Sequence, residues 1–309
     1  MNQTILIVGK TGQVGWELCR ELSPLGRVLA VDYPEIDLAN ADSIRAVVRD
    51  ANPGVIVNAA AYTAVDKAEA EPETAMKING LAPGIMAEEA RKTGSLLVHY
   101  STDYVYDGIK SGPYVEEDVP NPLNTYGRTK LAGDQAVQAV GGAFLVFRLC
   151  WIYGARGHNF LRTIMRLARE QEVLRVVSDQ VGAPTWCRNV ATATALALQR
   201  VRAASDSGAF SGVYHLASSG RTSWHGFASA IVNSMPETER KCREVVPIPS
   251  SAYPAAALRP RNSALECAKL RRVFGLVLPS WEEALPMVLE EKAGSRFSKS
   301  APPEQGCSC

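Results

Sequence analysis

The sequence predicts an α/β fold: a Rossmann-type doubly wound parallel sheet with a smaller C-terminal α/β substrate-binding lobe. Three observations predict it. Five short apolar runs alternate with longer helical stretches over residues 1–150. A glycine-rich loop directly follows the first run. A hydrophobic content of 46% over 309 residues is enough to bury a sizeable core, which excludes a disordered chain.

The runs are Ile5–Val8, Val28–Val31, Val55–Val57, Leu96–Val98 and Phe144–Phe147. Continuous apolar runs of this length suit strands covered on both faces. Arg45–Asp50 and Ala68–Lys92 read as the clearest helical segments between them, and a β-α-β-α order implies right-handed crossovers. Beyond residue 155 the rhythm changes. Helices are predicted over Phe160–Glu172, Val190–Arg202, Trp224–Ser234 and Trp281–Lys292, and a strand over Gly212–Ala217. The Pro-, Ala- and Ser-rich stretch Pro247–Pro260 reads as a loop. The expected division is therefore a dinucleotide-binding domain over 1–155, a mainly substrate-binding lobe over 156–292 and a flexible tail over 293–309.

Lys and Arg number 33 and Asp and Glu 32, a net charge of +1 (33 − 32), so nothing in the balance attracts nucleic acid. No apolar run is long enough to span a membrane. The first strand begins so early that no signal peptide is expected. The seven cysteines form no C-x-x-C pair, which argues against a zinc cluster or disulfide framework and fits a cytoplasmic protein. Cys307-Ser308-Cys309 has the form of a prenylated ending, but a polar tail is the simpler reading.

Gly9-Lys10-Thr11-Gly12-Gln13-Val14-Gly15 joins the first strand to a helix. In such a loop one glycine makes the turn, the next admits a pyrophosphate and the third lets helix and strand pack closely. The helix N-terminus then offers free N–H groups to the phosphates. The G-x-x-x-x-G-K-[ST] pattern of a P-loop is absent. Asp32 ends the second strand, where a carboxylate meets the adenosine ribose and favours NADH over NADPH. Asp37, followed by Leu38, either flanks the adenine or caps the next helix. Asn58-Ala59-Ala60-Ala61 offers small residues beside a cofactor, or a structural turn.

Tyr126 and Lys130 stand four residues apart, on one face of a predicted helix. An ammonium beside a phenol stabilises its anion, so the pair suits proton exchange with a carbonyl. Thr102 and Asp103 lie at the end of the fourth strand, where open α/β sheets place reactive groups. Ser101 reads as a packing or supporting hydrogen-bonding residue.

In order, the glycine loop, Asn-Ala-Ala, the strand-end threonine and Tyr-x-x-x-Lys resemble the extended short-chain dehydrogenase/reductase superfamily. Within it, six stretches are similar to the dTDP-4-dehydrorhamnose reductase family: Gly9–Leu18, Val57–Ala68, His99–Tyr106, Leu123–Gly133, Asp179–Thr185 and Arg259–Leu265. The resemblance implies reduction of a C4 ketone on a dTDP-sugar by NADPH or NADH. It makes Tyr126 the general acid, Lys130 the residue that holds the cofactor ribose and lowers the tyrosine pKa, and Thr102 the residue that aligns the ketone. The expected cofactor-binding residues are Gly9, Gly12, Gln13, Val14, Gly15, Asp32, Asp37, Leu38, Ala60, Ala61, Tyr62, Thr63, Tyr100, Tyr126 and Lys130. Those expected at the substrate are Thr102, Asp103, Trp151 and Arg259, the last for its diphosphate.

Some members of the family are dimers bridged by Mg²⁺ held by glutamates, which makes a homodimer the assembly to expect. Glu17 and Glu291 are weak candidates for the metal, because Arg188 stands where those members carry a third glutamate. Surface residues or salt-bridge partners are the preferred reading of both glutamates. Two alternatives remain open: another nucleotide-sugar reductase or epimerase, and a non-catalytic NADP-binding regulatory subunit like the beta subunit of methionine adenosyltransferase.

Overall fold

The structure, a computed structural model, describes residues 4–297, with side chains as far as Glu291. Five strands come from the first half of the chain: β1 (Thr4–Val8), β2 (Arg27–Val31), β3 (Val55–Asn58), β4 (Leu96–Thr102) and β5 (Phe144–Leu149). With the strand Gly212–Leu216 they form one six-stranded sheet in the order β2-β1-β3-β4-β5-(212–216), all parallel. The chain reverses direction across the sheet at β1 and β3, and there open α/β sheets bind ligands beyond the carboxyl ends of their strands.

The apolar runs are continuous because helices cover both faces. Ile5, Ile7, Val55 and Val57 pack beneath the helices Gln13–Glu21 and Cys187–Ala203. Leu6, Val8 and Ile56 meet Ile44, Val48 and Met86 of the helices Ala41–Ala51 and Ala82–Thr93 on the other face. Each buried aliphatic side chain of this kind contributes roughly 1.5–3 kcal/mol.

One ion cluster staples two helices on that second face. Arg49 donates twice to the Glu89 carboxylate, at 2.7 and 2.9 Å, and Lys92 donates once at 2.7 Å. Arg49, then Lys92, hold Glu89 down at about 2 against its ordinary 4.5, while burial opposes them. A depressed carboxylate stabilises the fold fully above its unfolded pKa and loses that contribution as pH falls towards the folded value. Both cations are more than half exposed, so water screens the pair. Glu89→Gln is expected to lower urea stability by about 1–2 kcal/mol at neutral pH. The gap should narrow as pH falls from 4.5 towards 2; a constant gap would contradict the assignment.

The second lobe has its own core, in which Leu161, Met165, Phe227, Ile231 and Leu285 meet. It includes a parallel strand pair, Val173–Val177 with Glu244–Ile248. The sequence reading missed both strands, because they are short and one carries Pro247. The lobes interleave rather than meet at residue 155, since the strand 212–216 and the helix Cys187–Ala203 join the first layer. The stretch expected as one helix over Ala68–Lys92 is divided into Val65–Ala70, Pro72–Met76, a widened turn at Lys77–Leu81, and Ala82–Thr93. The last helix runs Trp281–Phe297, past its expected end at Lys292. Cys307 and Cys309 lie outside the described residues. Among the described residues no helix is long and apolar enough to cross a membrane.

Candidate active site

A cleft of about 680 Å³ opens above the carboxyl ends of the strands. Its floor is the junction of the loops after β1 and β3. Gly9 has φ +94°, and a side chain there would stand 2.7 Å from the Ala60 nitrogen. Only glycine allows that approach. Gly12 leads into the helix Gln13–Glu21, and Gly12, Gln13 and Val14 line the cleft. Gly15 sits beneath, against Gly9, where a Cβ would collide with the Gly9 carbonyl oxygen.

Asp32 reaches the cleft edge with its oxygens already engaged. The Thr11 amide and hydroxyl donate to one oxygen at 3.0 and 2.5 Å, and the Tyr33 amide to the other at 2.9 Å. Asp32 therefore braces the glycine loop, which weakens its expected choice of NADH. Asn159 ties the loop down from the second lobe, donating to the Gln13 side chain and to the Gly154 and Arg156 carbonyls, each at 2.9 Å. Sequence spacing carried no signal for Asn159.

Ala60, Ala61, Thr63 and Tyr100 also line the cleft. Asp37, Leu38 and Tyr62 do not. Asp37 accepts the Ala39 amide at 2.8 Å as a turn residue, Leu38 packs on the core, and the Tyr62 hydroxyl donates to Glu71 at 2.7 Å.

The helix Thr125–Val140 begins at Asn124, whose side chain accepts the Gly127 amide at 2.8 Å. Gly127 lets that helix close on the chain after β4, since a Cβ would stand 2.2 Å from the Tyr104 carbonyl oxygen. The approach brings Tyr126, Lys130 and Thr102 into one cleft. Burial pushes the Tyr126 phenol up to about 12, with Thr102 pulling it back, so at neutral pH it keeps its proton.

Lys130 is fully buried and donates to the Tyr100 carbonyl at 2.5 Å; burial lowers it to about 8 against the opposing pull of Asp134. The lysine nitrogen is engaged by β4, and desolvation decides the phenol.

Thr102 donates to Asp103 at 3.0 Å, and burial raises Asp103 to about 6, with Ser263, Cys150 and Thr102 opposing. Trp151 adopts a left-handed φ of 43° and stacks on Trp224, ring centres 3.5 Å apart and planes within 5°. Trp224, which the sequence reading passed over as a helix residue, also lines a second cavity of about 550 Å³. Phe160, Ile164 and Leu174 wall that cavity, and Arg175 and Arg259 bring positive charge to it. Arg259 is outside the first cleft and forks onto Asp66, at 3.1 and 2.6 Å.

The residues fit a dinucleotide, with a glycine floor, helix N-terminal amides and a phenol and an amine facing one cleft. They do not fit a divalent cation at Glu17 and Glu291. Arg188 donates to Glu17 at 3.1 Å and to Glu291 at 2.6 Å, placing a guanidinium between the carboxylates.

Residues 3–293 match the family described as RmlD substrate binding domain. The chain is 49% identical over 292 residues to a dTDP-4-dehydrorhamnose reductase of Burkholderia thailandensis, covering 93% of this chain and 98% of that protein. A Salmonella typhimurium protein of the same name is 44% identical over 293 residues, covering 93% and 97%. The crystal structure of a Bacillus anthracis dTDP-4-dehydrorhamnose reductase in complex with NADP superimposes with a TM-score of 0.85 at 34% identity, covering 94% of this chain and 100% of that one.

Proposed function

The chain belongs to the RmlD substrate binding domain family, and on that premise we propose how its cleft reduces a sugar nucleotide. The substrate is dTDP-4-dehydro-6-deoxy-L-mannose, also called dTDP-4-dehydro-β-L-rhamnose, and the product is dTDP-L-rhamnose. This is the last step of dTDP-rhamnose synthesis for surface polysaccharide. The observation that carries the reading is the convergence of Thr102, Tyr126 and Lys130 on the cleft floored by Gly9 and Ala60.

NADPH or NADH, when bound, supplies a hydride for the ketone carbon. The chain's own residues do the rest. The amides of Gly12, Gln13 and Val14 hold the pyrophosphate at a helix N-terminus. Lys130 holds the ribose that carries the nicotinamide. With substrate in place the Thr102 hydroxyl turns its one proton from Asp103 to the ketone oxygen, and Tyr126 gives that oxygen its phenolic proton. Asp103 and Trp151 line the sugar. The apolar second cavity suits the thymidine, with Arg259 beside the diphosphate. We place this chemistry in the cytoplasm. A homodimer is the assembly to test, by sedimentation.

With Arg188 between Glu17 and Glu291, excess EDTA is expected to leave turnover unchanged. Complete loss of activity restored by Mg²⁺ would overturn that expectation. The proposed reaction is tested by incubating the protein with NADPH and the dTDP-4-keto sugar and identifying the product by NMR. A rhamnose formed with stoichiometric NADPH consumption supports it. A talose, or epimerisation without net consumption, would reassign the enzyme, and no turnover would favour a binding role.

A further inference from the structure

Behind the catalytic lysine lies a buried polar chain that the proposed reaction does not use. His99 of β4 is 0% exposed, and Asn58 and Lys130 are each 1% exposed. The Asn58 side-chain oxygen accepts the Ala60 amide at 3.3 Å, which turns its NH₂ end towards His99. That NH₂ stands 3.2 Å from His99 Nδ1. A donor at Nδ1 requires a lone pair there, so the proton of the neutral ring sits on Nε2. Nε2 faces the Lys130 nitrogen at 3.4 Å, while that nitrogen donates to the Tyr100 carbonyl.

We propose that His99 is a positioning residue for Lys130: Asn58 locks its tautomer so that it presents a proton donor, not an acceptor, to the lysine amine. An N–H aimed at the amine favours the neutral form, in which a lone pair receives it. Burial, then the Lys130 charge, hold His99 itself well below its ordinary value, so the ring does not become a cation. Tyr126 and Asp103 share the cleft with Lys130, and Asp134 lies one turn along its own helix. Asp134 favours the ammonium, and Arg148 of β5 faces Asp134 from the far side. Burial lowers the Lys130 amine to about 8, and the His99 N–H adds to that from β4 against Asp134, which leaves Lys130 able to exchange its proton near neutral pH and so to restore the proton that Tyr126 gives up.

This last role rests on the proposed reduction, but the tautomer and the lysine titration are tested without turnover. In wild-type protein with ¹⁵N-labelled histidine, the His99 Nε2 signal is expected to be that of a protonated ring nitrogen and Nδ1 that of a bare one. A proton on Nδ1 would overturn the proposal. With ¹³C-labelled lysine, the Lys130 signal is identified by its loss in Lys130→Met. In His99→Gln an amide oxygen can turn to the ammonium, and the Lys130 midpoint is expected to rise by about one unit. An unchanged or lowered midpoint would refute the role of His99. Should His99→Gln fail to fold, the wild-type tautomer decides the proposal alone.

Discussion

Tyr126→Phe is expected to lower kcat by about two to four orders of magnitude, the usual worth of a positioned acid. The substitution removes one oxygen from a ring that stands edge-on to Tyr104, with ring centres 6.0 Å apart, and phenylalanine keeps that packing. Dinucleotide affinity, read by fluorescence titration, is expected to stay within a few-fold of wild type. The glycine loop and helix N-terminus, which supply most of the proposed contacts, are untouched. The pH profile gives a second check. The phenol is pushed up to about 12 by burial, so the wild-type acid is fully loaded at neutral pH and the basic limb should belong to another group. Lys130, at about 8, is the group in range. Turnover unchanged in Tyr126→Phe would remove the phenol from the mechanism.

The sequence and the structure agree where the signal is local. A glycine loop between a strand and a helix is legible because turn, cradle and helix start occupy adjacent residues. Tyr126 and Lys130 are legible because four residues of helix place both on one face. The five runs of the sheet are legible because burial on both faces leaves no polar position in β1 from Ile5 to Val8. What stays hidden depends on where distant segments meet. Nothing in the spacing joins Trp151 to Trp224, Asn159 to Gln13, or Asn58 to His99. Asp32 shows the limit of position as a signal. Its position is as expected, but Thr11 and Tyr33 claim its oxygens, so position alone overstates its preference for NADH. The division at residue 155 does not carry over to the sheet, because a sheet accepts its sixth strand from any later part of the chain, and here takes Gly212–Leu216.

Arg148→Met is expected to be the most destabilising of the substitutions considered, by about 3–5 kcal/mol. Arg148 Nε meets Asp134 at 3.1 Å, and the two side chains are 4% and 0% exposed. Arg148 also donates to the Tyr106 hydroxyl at 2.8 Å, and that oxygen lies 2.8 Å from His215 on the sixth strand. One guanidinium thus links the helix of Tyr126 and Lys130, the chain after β4 and the edge of the sheet. Methionine fills much of the volume but leaves Asp134 without its cation, and burial already raises the Asp134 carboxyl above its ordinary value. Once Arg148 is gone, Asp134 must either hold a proton or remain an unpaired buried charge. Urea denaturation of Arg148→Met should register the loss, and adding Asp134→Leu should recover most of it, since removing both charges removes the desolvation problem. A loss below about 1 kcal/mol would show that water or another donor takes over the carboxylate, placing the pair in the range of an exposed ion pair. The double variant also separates stability from catalysis. With Asp134 gone the ammonium of Lys130 loses its carboxylate support, so the basic limb of the pH profile should move down even where folding is restored.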